Sequence, residues 1–198
     1  MPHIAAMYNS QRTLEEADQA FTDRDAVFTK LAPLFIQYGL QYGVFMLHSH
    51  CFLAAEEVMV ADGNVCSPST EGVAFPGSWL ANGDPFEFRR DAVPAPPTEL
   101  LTAFAKAIGP KNADILGLVY TGDMEPGKVL LERTEGRNNI TEVVDPDIGV
   151  GNLQTGWLPG AGEDGIIKMA CHLFCDRRIT RNGSSHKDTK THRRYGSN

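Results

Sequence analysis

Two histidines, His48 and His50, are the residues whose type and spacing best suit chemistry. They lie two positions apart inside the apolar run from Gly43 to Leu53. Residues i and i+2 of a β-strand point to the same face, so a strand here would place both imidazoles side by side. Because buried polar groups need partners, we expect a metal ion, a carboxylate or a substrate to face the pair.

Two carboxylates, Glu56 and Glu57, follow the histidine pair closely. Two imidazole nitrogens and one carboxylate can form a facial ligand set for a divalent transition metal. The spacing predicts that His48 and His50 act as metal ligands or acid/base groups, with Glu56 as a ligand or Glu57 as the catalytic carboxylate. The structural alternative is two histidines that bond to neighbouring backbone or carboxylate groups of the sheet.

The histidine pair partly resembles the first cupin motif, in which a glycine precedes His-x-His and a glutamate and a second glycine follow. The His-x-His and the six residues between Glu56 and Gly63 match that motif, whereas the two other gaps differ. A second cupin motif should supply another histidine near Pro-x-Gly, and the stretch 76–79 contains none. The cupin motif is therefore incomplete in this chain.

A second group of metal-ligating side chains lies near the C-terminus. Cys171 and Cys175 are followed by His186 and His192. Thiolate and imidazole are preferred ligands of zinc, and an ion could hold a polar tail that has no core of its own. These four residues therefore predict a separate structural zinc. Two alternatives are half-buried strand cysteines with solvated histidines, and a single ion shared with the His48 pair.

Two further patterns receive a plainer interpretation. Cys51 and Cys171 each adjoin a histidine, but adjacent strand residues face opposite sides, so neither pair is a suitable nucleophilic dyad.

Glu87 and Glu132 lie in alternating segments beside arginines. We interpret them as solvated hairpin faces with cross-strand salt bridges, the alternative being that they line a pocket.

Length and composition indicate one ordinary globular domain. The chain has 198 residues, 42% of them hydrophobic and 22% charged. No apolar run approaches the ~20 residues that span a bilayer, and the polar N-terminus lacks a signal-peptide pattern. We expect a cytoplasmic or otherwise intracellular protein that does not bind membranes and whose four cysteines are thiols or metal ligands.

Charge is distributed unevenly along the domain, which we place at residues 1–198 with an arm at 1–17 and a basic tail at 177–198. The net charge is -7, yet the last 23 residues carry seven basic and two acidic side chains. No nucleic-acid-binding module accompanies this tail, so nucleic acid is not an expected partner. A small-molecule ligand is the partner that the histidine pair favours, and the oligomeric state is left open.

Short strands and two helical segments must position these residues. Apolar residues recur at helical spacing from Asp18 to Gln37, and a second helix is predicted over Thr98–Ile108. The stretch 61–64 contains an Asp-Gly pair typical of a hairpin turn. With six to nine short strands, the pattern predicts an α+β fold, a mainly antiparallel sheet of hairpins with two principal helices packed on it.

The order of motifs resembles that of a family of uncharacterised fungal proteins, from about Tyr38 to His192. The residues that carry the resemblance are Gly43-Val44, His48-x-His50-Cys51, Glu56-Glu57 with Met59-Val60, Pro68, Trp79-Leu80, Pro85-x-Glu87-Phe88 and the Cys/His-rich end. The resemblance implies a fungal, single-domain, non-secreted protein and assigns no activity.

The leading hypothesis is a metal-binding protein, an enzyme that transforms a small molecule with His48, His50 and a carboxylate. Zinc or another divalent transition metal is the expected cofactor. The rival hypothesis is a non-catalytic binding or interaction module whose C-terminal segment holds a structural zinc.

Overall fold

The fold is a nearly closed, barrel-like sheet of eleven strands with four short α-helices in the described chain. A computed structural model describes residues 2–38, 40–125, 127–145, 152–161 and 167–176. Within those residues, no helix is both long and apolar enough to span a membrane.

The helices are α1 (Pro2–Asn9), α2 (Leu14–Ala20), α3 (Arg24–Gln37) and α4 (Thr98–Ile108), with a 3-10 turn at Pro110–Asn112. The strands are β1 (Tyr42–Met46), β2 (Val58–Asp62), β3 (Val65–Ser69), β4 (Phe75–Pro76), β5 (Ser78–Trp79), β6 (Phe88–Arg89), β7 (Leu116–Tyr120), β8 (Val129–Glu135), β9 (Asn138–Val144), β10 (Leu153–Ala161) and β11 (Ile167–Cys175).

Strand order explains the near-closure of the barrel. Across the sheet the order is β4-β6-β2-β3-β9-β8-β11-β10-β1-β7-β5. The two edge strands, β4 and β5, are separated in the chain by Gly77 alone, so the two ends of the sheet meet there. β11 pairs with β8 and β2 pairs with β6 in parallel, while the other strand pairs are antiparallel. The sheet is therefore mixed.

The predicted fold class is wrong. We expected an antiparallel sheet of hairpins carrying two principal helices, and the structure is mostly strand, with a mixed, curved sheet and four short helices. Local patterns did identify the β2–β3 hairpin and α4. They could not reveal pairings such as β8 with β11, which join strands far apart in sequence.

An apolar core on the outer side of the barrel explains why β1 is so hydrophobic. Every residue of β1 is buried. Val44 and Met46 belong to the cluster that α3 and α4 cover, with Phe35 and Phe104 among its members. Phe45 belongs to a second cluster with Leu47, Tyr8 and Phe86. A strand covered on both faces reads as a continuous apolar run rather than an alternating one.

Candidate metal centre

The parallel pairing of β8 and β11 brings an acid and a thiol together. Cys175 is the direct ladder partner of Glu132. The Cys175 thiol donates to Glu132 Oε2 at 3.0 Å. The Cys175 side chain is buried and the Glu132 side chain partly so. Glu132 and Cys175 are 43 positions apart in the chain, and their side chains meet because β8 and β11 lie side by side.

His48 completes the group from the segment that follows β1. The strand ends at Met46, so both histidines lie beyond it rather than on it. The Met46 carbonyl lies 2.8 Å from His48 Nδ1 and can only accept a hydrogen bond. Nδ1 therefore carries the proton in the neutral ring. Nε2, which then has the lone pair, lies 3.4 Å from Cys175 Sγ.

His48, Glu132 and Cys175 together have the geometry of a metal-ligand set. One ligand atom from each residue lies within 4.8 Å of the other two. Nitrogen, oxygen and sulfur donors in this combination suit zinc and related divalent transition metals. Three protein ligands also leave a fourth tetrahedral position for water or substrate, as in catalytic zinc sites.

Further hydrogen bonds orient each ligand. Asn139 Nδ2 donates to Glu132 Oε1 at 2.9 Å, which leaves Oε2 turned towards the sulfur. The Thr155 hydroxyl lies 3.6 Å from Cys175 Sγ. Such outer contacts are typical of protein metal sites, where they fix ligand orientation. These hydrogen bonds hold the Glu132 carboxylate and the Cys175 thiol in place without an ion.

Burial disfavours the charged forms of the Cys175 thiol and the Glu132 carboxyl group. Desolvation and the neighbouring Glu132 charge raise the pKa of the Cys175 thiol well above its ordinary value. Desolvation also raises the pKa of Glu132, although hydrogen bonds from Cys175 and Asn139 oppose that rise. Binding of a cation would replace the thiol proton and stabilise the ionised forms of both side chains.

His50 lies beside this group with separate partners. Its Nδ1 is 3.2 Å from Thr134 Oγ1, and its backbone N–H donates to the Tyr8 hydroxyl at 3.0 Å. The ring centroids of His48 and His50 are 4.6 Å apart. Glu132 and Thr134 occupy positions i and i+2 of β8, so one strand face carries both the carboxylate near His48 and the hydroxyl beside His50.

Two residues of this group, His48 and Glu132, line a cavity inside the barrel. Its volume is about 160 Å³. Many of its lining residues are apolar, including Phe45, Phe86, Val119, Leu130 and Leu173, and its polar lining residues include His48, His50, Glu87, Glu132 and His172. A small molecule in this cavity would therefore contact both apolar side chains and the proposed metal ligands.

Glu87 adds a carboxyl group to the same cavity. Burial, followed by the charge of Glu132, raises the pKa of Glu87 to about 8, against a smaller opposing effect of the Tyr8 hydroxyl. Its Oε1 is buried and has no hydrogen-bond partner among the described residues. Near neutral pH, this carboxyl group therefore carries a proton that it can donate.

The two carboxylates predicted from the sequence lie elsewhere. Glu56 is exposed and lines a shallow outer pocket with Val58 and Thr70. Glu57 forms an ion pair with Arg137 and accepts a hydrogen bond from the Ala54 backbone at 2.8 Å. The hydrogen bond from Arg137 holds the pKa of Glu57 below its ordinary value. Neither carboxylate is among the residues that line the interior cavity.

The cysteines of the predicted tail site separate in the structure. Cys175 joins His48 and Glu132, whereas the Cys171 thiol donates to the Leu173 carbonyl at 3.3 Å. Desolvation raises the pKa of Cys171 to about 11. His186 and His192 lie outside the described residues. The shared-ion alternative placed one of these cysteines near the His48 pair, and Cys175 does lie beside His48. The third residue of the group is Glu132, an acid that we had interpreted as solvated.

Glu132 and Glu87 are the acids that sequence reasoning missed. Each sits in an alternating strand-like segment beside arginine, a pattern that also describes exposed salt-bridged hairpins. The sequence pattern that could have indicated Glu132 is the strand alternation, which places Leu130, Glu132 and Thr134 on one face of β8. Which face pointed inward depended on the closure of the barrel, and the sequence did not indicate that closure.

No family model, curated protein or solved structure matches this chain. The resemblance to uncharacterised fungal proteins stays a prediction.

Proposed function

We propose that the protein binds one divalent transition metal, zinc by the chemistry of its ligands, and uses it as an enzyme on a small molecule. The observation that supports this proposal is the convergence of His48, Glu132 and Cys175 within 4.8 Å, with the first two at the wall of a cavity. The positions of His48 Nε2 and Glu132 Oε2, which both lie within 3.4 Å of Cys175 Sγ, strengthen it.

The reaction class that these groups favour is metal-assisted hydrolysis or hydration. A bound divalent ion would supply a Lewis acid and an activated water at the cavity wall. Glu87, protonated near neutral pH, would donate a proton to the leaving oxygen. His50 would bind a polar atom of the substrate or transfer a proton. Glu57, held by Arg137, would stabilise the segment that carries the histidines.

Metal analysis of the purified protein tests the first part of the proposal. We expect one zinc per chain, lost in His48→Ala, Glu132→Gln and Cys175→Ser. Cys171→Ser is the matched control, because that thiol lies on the same strand, donates to the Leu173 carbonyl and is not one of the three grouped ligands. A chain without stoichiometric metal, or equal losses in the two cysteine variants, would contradict the proposal.

Ester turnover tests the enzymatic part. Phenyl acetate is a suitable probe, because a cavity of about 160 Å³ has the volume to hold its benzene ring. We expect hydrolysis that stops on chelation, returns with added zinc and falls in Glu87→Gln while the bound metal stays. Turnover that is insensitive to chelation would show that the reaction does not use the site.

The rival function is a non-catalytic module held together by a structural ion. One observation favours it, since the three ligands come from segments at positions 48, 132 and 175 that an ion would tie together. A structural ion should raise the melting temperature strongly and resist exchange. An ion at an open catalytic site should exchange readily and admit small anions as a fourth ligand. Exchange kinetics with isotopically labelled zinc therefore separate the two functions.

A further inference from the structure

His172 is a buried imidazole that the proposed metal chemistry does not use. Its side chain lies on β11, and only 7% of the residue is exposed. Its buried Nδ1 has no hydrogen-bond partner among the described residues. Burial lowers the pKa of His172 to about 4, so the ring is neutral at physiological pH. An unpaired buried polar atom is costly, and such atoms occur where a ligand completes the pairing.

The position of His172 connects the interior cavity to the outside. A second cavity, of about 390 Å³, opens beside β10 and the loop before β8. His172, Thr121 and Met124 line both this outer cavity and the interior one. We call the outer cavity the apolar mouth, because most of its lining is apolar and its two charged lining residues, Lys128 and Glu125, pair with each other at 3.6 Å. A molecule that passed from the mouth to the metal centre would pass His172.

A third cavity, of about 350 Å³, meets the interior at Ser78, Glu87 and Glu132. Its outer lining is charged and contains Arg89, which is paired with Asp123 at 2.6 Å. Water and protons suit this polar route better than an apolar molecule does, because its charged groups would lose hydration without compensation. The two routes thus differ in the chemistry that they admit.

We propose that the interior cavity binds a small, largely apolar ring compound carrying one hydroxyl or carbonyl group, which enters through the apolar mouth and hydrogen-bonds to His172. The size argument rests on the cavity volume of about 160 Å³, since an apolar cavity of about 150 Å³ is known to hold benzene. This inference deepens the proposed function, because the molecule held there would be the substrate presented to the metal.

Phenol and benzene are matched probes for this proposal, because they share a ring and differ by one hydroxyl. We expect the zinc-loaded protein and the chelated protein both to bind phenol about tenfold more tightly than benzene, the effect of one well-formed hydrogen bond. His172→Phe keeps a planar ring and should remove the preference. His172→Asn, which keeps a polar atom near the position of Nδ1, should restore part of it.

Nitrogen-15 spectra of the unmodified protein provide a second readout that does not depend on any variant folding. The ring nitrogen shifts of His172 should move when phenol binds and stay in place when benzene binds. Equal affinities for the two probes, or phenol binding without a shift at His172, would overturn the proposal. A preference that persists after chelation, in a protein without metal, would support this site even if the metal function failed.

The entry route has its own test. Ala170 lines the apolar mouth but not the interior cavity, so Ala170→Trp should narrow the mouth and slow phenol association several-fold while leaving the equilibrium affinity nearly unchanged. Asp91→Trp, at the charged cavity, is the matched control and should leave the association rate unaltered. Slower association in the control alone would overturn the assigned route.

Discussion

His48 Nε2 lies 3.4 Å from Cys175 Sγ, although 127 positions separate the two residues in the chain. One strand, β10, lies between β1 and β11 in the sheet, so the contact does not arise from strand pairing. It arises because the chain turns inward after Met46 and the Met46 carbonyl orients the imidazole. The contact joins the two Cys/His regions that the sequence had suggested as separate sites.

Cobalt substitution should show this contact directly. We expect Co²⁺ in the metal-free protein to give an intense thiolate-to-cobalt charge-transfer band in the near ultraviolet. The band should be absent in Cys175→Ser and present in Cys171→Ser, since only the first thiol lies beside His48 and Glu132. A band that disappears only with Cys171 would place the ion elsewhere.

Glu87 should lower the stability of the metal-free protein as pH rises from about 4.5 to about 8, an effect that the buried His172, with a pKa of about 4, opposes below about pH 6.5. Glu87 has a pKa of about 8 in the folded protein and an ordinary value of 4.5 when exposed. Between these values the folded state holds a proton that the unfolded state has released. The free energy of unfolding should therefore decrease by at most about 1.4 kcal/mol per pH unit.

Glu87→Gln isolates this effect in urea denaturation measured at several pH values. Above about pH 6.5, where the effect of His172 no longer changes, the variant should show a shallower slope, and it should be more stable than the parent protein at pH 8. Glu132 contributes in the same direction, because burial raises its pKa too, so part of the slope should remain. Identical slopes in the parent and the variant would show that Glu87 is ionised in the folded protein.

Arg137 should stabilise the histidine-bearing segment without taking part in metal binding. It pairs with Glu57 and donates to the Phe52 carbonyl at 2.8 Å. Arg137→Ala should lower the free energy of unfolding by about 1–2 kcal/mol, because a backbone carbonyl and a half-buried carboxylate lose their donor. Zinc stoichiometry should stay at one.

Arg12→Ala is the control for Arg137, because the Arg12–Asp114 pair is largely exposed, at 42% and 58% of the side chains. Its effect on the free energy of unfolding should be below about 1 kcal/mol. The Arg137 effect should also shrink as pH falls through the lowered pKa of Glu57, since that carboxylate then takes up a proton. A cost for Arg137→Ala no larger than that of the control would contradict the assigned role.

Sequence reasoning reached the histidines and Cys175 but not their arrangement. Residue type alone selected His48 and Cys175 as candidate ligands, since imidazole and thiolate are preferred ligands of transition metals. We assigned the carboxylate partner to Glu56 or Glu57 because they follow the histidines closely in the chain. In the fold, the carboxylate that lies near His48 and Cys175 is that of Glu132. Barrel closure depends on the parallel β8–β11 pairing and on the meeting of β4 with β5. Neither is encoded by local periodicity, which also explains the wrong fold class.

Gly117 should not tolerate a side chain, because β7 runs close to Phe45 of the second apolar cluster. A Cβ there would lie 2.7 Å from Phe45 Cε1 and 2.8 Å from the Trp79 backbone carbonyl oxygen. Gly117→Ala should therefore lower the free energy of unfolding by about 1–3 kcal/mol through overpacking. Gly160→Ala, where the nearest atom lies at 3.9 Å, should change it little. Comparable costs at the two positions would show that β7 relaxes to admit the methyl group.

Asn139 should control metal affinity although it is not a ligand. Its amide donates to Glu132 Oε1 at 2.9 Å, so its removal frees the carboxylate to rotate away from Cys175. Loss of such an outer contact typically costs about tenfold to a hundredfold in metal affinity. Titration calorimetry of metal-free Asn139→Ala with zinc should show that reduction with the stoichiometry unchanged. Asn138→Ala is the matched control, since the neighbouring side chain is exposed and should leave affinity as in the parent protein. Unchanged affinity in Asn139→Ala would mean that Glu132 does not bind the ion.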